Sequence, residues 1–70
     1  MDANLINEAI LHGLEVEVWR IYKPLFGRDV RLYEEKMGTG RIVRQTEYDI
    51  ILEDGLYYPK DESEIRIKQK

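Results

Sequence analysis

The 70-residue sequence contains no cysteine, one histidine, one tryptophan, one phenylalanine and two prolines. Without cysteine there is no disulfide to brace a small fold and no thiol nucleophile, and one histidine leaves a structural zinc site almost without ligands. No apolar run approaches the ~18 residues that span a bilayer. The opening Met1-Asp2-Ala3 carries no basic leader, so the expectation is a cytoplasmic chain without membrane attachment. A chain this short makes one domain and buries only about 60% of the surface its unfolded form exposes. Its stability must come from the core or from a partner.

What is present is an apolar fraction of 43% with 36% charged residues, a globular balance rather than a disordered one. The net charge is -3, with four basic and seven acidic residues in positions 1–35 and seven of each in positions 36–70. That balance argues against general affinity for phosphate backbones and leaves room only for a local basic patch.

The stretch DANLINEAILHG places Leu5, Ile6, Ala9 and Ile10 on one helical face, with Asp2 or Asn4 as N-cap and Gly13 as the stop. A helix of two and a half turns cannot persist alone and needs an apolar surface to lie on. That surface follows at once, where Leu14, Val16 and Val18 alternate with Glu15 and Glu17 as in a half-buried strand. Pro24 and Gly27 in YKPLFG predict a loop, Val30 and Leu32 a short strand, and KMGTG a turn. Further strands are predicted from Gly40 to Arg44 and around Tyr48, Ile50 and Leu52. Asp54-Gly55 then predicts a type I′ hairpin turn leading into Leu56-Tyr57-Tyr58. Pro59 ends that strand, KDESE allows one helical or 3₁₀ turn, and Ile65-Arg66-Ile67 makes the last strand.

Five or six short strands at these intervals predict a mainly β fold, a small antiparallel barrel with one N-terminal helix. The expected organisation is a single domain over 1–70, with the helix in 1–12 and the barrel in 13–67. Gly13-Leu14-Glu15-Val16-Glu17-Val18, Gly38-Thr39-Gly40-Arg41-Ile42-Val43, Tyr48-Asp49-Ile50 and Glu64-Ile65-Arg66-Ile67 follow one another in an order that resembles SH3-like barrels. Within that group the chain looks most like the small uncharacterised Bacillus and prophage barrels of the YorP type. The resemblance covers about residues 13–67 and implies the fold. It implies no recognition of proline-rich ligands, because the acidic ALYDY-type segment of peptide-binding SH3 domains is missing, and the interval to Gly38 is longer than in KOW-type nucleic-acid barrels.

The polar residues point away from catalysis. His12 stands beside the helix stop, where a cation suits the helix dipole, and Ser63 and Thr39 have no evident base nearby in sequence. Asp61, Glu62 and Glu64 lack the alternating oxygens and central glycine of a calcium loop and read as a solvated acidic turn. Gly38-Thr39-Gly40 lacks the strand-to-helix setting of a phosphate-binding loop. No metal, cofactor or small-molecule substrate is expected.

Two function classes remain. Trp19, Tyr22, Phe26, Tyr33, Tyr57 and Tyr58 outnumber the aromatics a core with Val16, Val18, Ile42, Ile50, Leu52 and Ile65 requires. Trp19 alternates with Val18, so it either packs under the helix or joins an exposed patch with Tyr22 and Phe26, the composition of binding hot spots. Trp19, Tyr22, Phe26 and Tyr57 are therefore the expected contacts of a non-catalytic protein-interaction module, self-associating or binding another protein, in keeping with a phage or mobile-element origin. The alternative is a nucleic-acid-binding barrel, in which Arg41, Arg44 and Arg66 form a stripe beside Tyr57, unless cross-strand acids neutralise them. The acidic isoelectric point of about 5.1 favours the first class.

Overall fold

The structure, a computed structural model, describes residues 1–22 and 33–68. The predicted YKPLFG loop beyond Tyr22, and Val30, Arg31 and Leu32 of the predicted short strand, lie outside the described residues. One helix, α1 (Ala3–His12), precedes five strands, β1 (Glu15–Tyr22), β2 (Tyr33–Gln45), β3 (Asp49–Leu52), β4 (Tyr57–Pro59) and β5 (Ser63–Ile67). All paired strands are antiparallel, in the order β4-β3-β2-β1-β5. This is a mainly β, small SH3-like fold, as the alternation of the sequence predicts.

Asp2 is the N-cap of α1, its carboxylate accepting from Asn4 N at 2.9 Å and Leu5 N at 3.3 Å, which satisfies two of the four donors a helix start leaves unpaired. At the other end Gly13 adopts φ 61°, and Leu14 N donates to Ala9 O at 2.9 Å while Gly13 N donates to Ile10 O at 3.3 Å. That is a Schellman closure, and it turns Leu14 back onto the core. Ile6 and Ala9 are fully buried in one cluster with Val16, Val18, Ile42, Ile50, Leu52, Tyr58 and Ile65. The helix is therefore part of the barrel's only described core. Gln45 Nε2 donates to Asn7 Oδ1 at 3.1 Å and ties α1 to β2.

Two expectations are corrected. KMGTG is not a turn but the middle of β2, which runs 13 residues without interruption. Its first part pairs with β1 and its last with β3, so one long strand serves both halves of the barrel. The glycine at 38 is needed for proximity, since a Cβ there would lie 2.9 Å from Tyr58 Cζ and closer still to its hydroxyl. The Asp54-Gly55 turn is not type I′ either. Only Gly55 has positive φ, 84°, Gly55 N donates to Leu52 O at 2.9 Å, and Leu52 N to Leu56 O at 3.2 Å. These bonds define a three-residue loop, a type I turn followed by a left-handed glycine. Asp54 Oδ1 accepts from Leu56 N at 2.8 Å, which satisfies the donor that follows the turn.

Candidate functional site

The register of β2 slips twice. Val18 faces Gly38 but Trp19 faces Lys36, leaving Met37 as an extra residue, and Val43 is extra between Ile42 and Arg44. Such bulges turn a side chain out of its normal alternation. Both extra residues are exposed apolar groups, Met37 at 43% and Val43 at 60%. Met37 opens onto a groove of about 260 Å³, lined also by Leu56, Tyr57, Tyr58 and Pro59 of the β4 segment, by Glu62 and Ser63 at the start of β5, and by Arg20 of β1. Leu56 and Tyr57 are each 57% exposed. The groove thus presents aromatic and aliphatic surface to solvent with an acid, Glu62, on its rim.

Tyr58 fixes one wall. Its ring packs into the core over Gly38, and its hydroxyl donates to Asp54 Oδ2 at 3.3 Å. Burial, and secondarily the negative Asp54, push the phenol above its ordinary pKa.

The outer face of β5-β1-β2 is charged. Arg66 makes a bidentate pair with Glu34, at 2.6 and 3.2 Å, and its guanidinium lies 4.7 Å from the centroid of the Trp19 ring. The hydrogen bonds from Arg66 hold the Glu34 carboxyl below the usual carboxylate range. Lys36 and Glu17 pair at 3.3 Å, Lys68 and Glu15 at 3.5 Å. Trp19 is half-buried under this layer, and its Nε1 is buried with no hydrogen-bond acceptor among the described residues. It is not among the side chains packed on the core that α1 shares.

The sequence-predicted residues fall in different places. Trp19 lies on the charged face and Tyr57 at the groove, so the structure does not bring these two together. The side chain of Tyr22 and the whole of Phe26 lie outside the described residues. Of the arginines, Arg41 stands opposite Glu15 in the ladder, Arg44 donates to the Tyr57 hydroxyl at 3.3 Å across β3, and Arg66 is committed to Glu34 on β5, the far side of β1. Arg44 and Tyr57 flank Ile51 in the ladder, and Ile51 is buried although it is not part of the main core. Sequence reasoning missed Met37, Leu56 and Arg20 as groove residues. The one available signal was a methionine inside an otherwise polar KMGTG stretch, an apolar group a surface turn does not need.

No family model matches the chain, and no curated protein or solved structure matches it either.

Proposed function

We propose that this chain is a non-catalytic protein-interaction module whose groove beside β4 receives an extended peptide segment of a protein partner. The observation that carries the reading is the groove itself, where Met37, Leu56 and Tyr57 remain solvent-exposed around a concave surface of about 260 Å³. Exposed apolar residues gathered in one place gain free energy from any partner that covers them, about 25 cal/mol per Å². Asp61 and Glu62 are exposed beside it and form no ion pair among the described residues. They favour a segment with an apolar side chain followed by a lysine or arginine. The nucleic-acid alternative loses support because Arg66 is neutralised by Glu34 and the three arginines do not line up.

The test is a peptide selected on the folded chain from a random display library and titrated by calorimetry. Tyr57→Ser and Met37→Ser are expected to weaken it, the tyrosine by about 2 kcal/mol if it acts as a hot spot, while Arg41→Glu leaves it within a factor of about two. A selected peptide that binds both groove variants as tightly as the parent chain contradicts the reading.

A further inference from the structure

The last strand and its flanks read Glu62-Ser63-Glu64-Ile65-Arg66-Ile67-Lys68, acidic in the first half and basic in the second. β5 is the edge of the sheet and pairs only with β1 among the described strands. Lys68 N donates to Glu15 O at 2.9 Å. Because an antiparallel ladder alternates every residue, Lys68, Arg66 and Glu64 direct their backbone groups to β1, and Ser63, Ile65 and Ile67 direct theirs to the open edge.

We infer that this edge is the pairing surface for a second copy of the chain, β5 against β5 in antiparallel register about a two-fold axis at Ile65. In that register Ile65 faces itself once and exchanges two backbone hydrogen bonds, while Ser63 faces Ile67, Glu64 faces Arg66 and Glu62 faces Lys68, these three pairs each occurring twice. A shift by one residue in either direction loses the two-fold match of acids with bases. Glu62 and Glu64 form no ion pair among the described residues, although Glu64 already acts on Arg66 through its charge, whereas Arg66 and Lys68 have their partners on the charged face. Arg66, with five donors, can hold Glu34 and a second carboxylate together. β5 carries no proline, bulge or inward charge, and the charges it does carry, Glu64 and Arg66 with Glu62 and Lys68 at its ends, repel a copy in most registers but match in this one. The pairing joins the two three-stranded halves into a sheet continuous across both copies. It does not rest on the peptide groove, although Glu62 and Ser63 border both surfaces.

A charge swap tests it. Glu62→Lys places lysine opposite Lys68 at both ends of a homodimer, and Lys68→Glu places glutamate opposite Glu62. An equimolar mixture restores two attractive pairs in the heterodimer. Both positions are exposed, so the circular dichroism of each variant is expected to match the parent. Sedimentation equilibrium over a concentration series up to about 1 mM is expected to show a dimer of the parent chain, about tenfold weaker association for each variant alone, and recovery in the mixture. In the parent dimer the amide protons of Ile65 and Ile67 exchange more slowly as concentration rises, and those of Leu56 and Tyr57 do not. A parent mass of one chain throughout, a mixture no heavier than its separate components, or Ile65 and Ile67 amides indifferent to concentration overturns the inference.

Discussion

Tyr58 connects the core, the hairpin and the groove, so its surroundings give the sharpest consequences for single residues. Gly38→Ala puts a methyl group against the hydroxyl and Cζ of Tyr58, so the ring, itself part of the buried core, must shift to make room. Overpacking of this kind costs about 1–3 kcal/mol, to be read as a lower urea midpoint; an unchanged midpoint contradicts the close approach. The pH response follows from the raised phenol pKa. In the folded chain Tyr58 holds its proton to a higher pH than in the unfolded chain, whose phenols titrate near about 10. Its stabilising contribution is complete below that value and is lost as pH rises through the folded pKa. The parent chain is therefore expected to lose stability above about pH 10 more steeply than Tyr58→Phe, and parallel curves for the two contradict the assignment. Arg66→Ala is a third probe, because Trp19 is the only tryptophan and the guanidinium covers its ring. The emission of Trp19 is expected to move to longer wavelength as water reaches the indole, while the melting midpoint changes little because the ion pair is solvent-exposed.

Among elements, α1 matters most for so small a core. Ile6 is fully buried against strands from both halves of the barrel, and truncation to alanine is expected to cost about 2–5 kcal/mol, a large part of the stability of a domain this size. Thermal melts of the parent and Ile6→Ala measure it, and equal midpoints contradict the packing. The helix was legible because its signals are local: an aspartate cap, apolar residues at helical spacing and a glycine stop all lie within twelve residues. The strands around Val16, Ile50 and Ile65 were legible for the same reason, each carrying its own alternation. The course of β2 was not. Gly38 and Gly40 give the composition of a turn, and the reason for Gly38 is a tyrosine twenty residues away. The hairpin was recognised but its turn type was not, because Asp-Gly suits both a type I′ turn and the second and third residues of a three-residue loop. The groove depends on a bulge, and a bulge depends on the register between two strands, which no single segment encodes.

At the scale of the whole molecule, the paired charges and the apolar groove occupy different surfaces. Ion pairs cover the outer face of β5-β1-β2, where Glu17, Lys36, Glu34, Arg66, Glu15 and Lys68 neutralise one another, and of the exposed large apolar side chains Met37, Leu56 and Tyr57 share the groove beside β4, while Ile10, Leu11, Val43 and Tyr48 lie outside its lining. Among the described residues no helix is long and apolar enough to cross a membrane, and no three His, Cys, Asp or Glu side chains are grouped to hold a metal ion. A surface with paired charges gains little from counterion release, whereas an exposed aromatic groove gains from burial in any complementary partner. The central claim, that the groove is the working surface, is tested most directly by parallel titrations of the isotope-labelled chain. One uses a peptide selected on the folded chain and the other single-stranded DNA, each followed by amide shifts at low and moderate salt. The account predicts peptide-induced shifts at Met37, Leu56, Tyr57 and Glu62 that survive moderate salt. Shifts confined to Arg41, Arg44 and Arg66, produced by DNA and abolished by moderate salt, with no response of the groove to peptide, would contradict it.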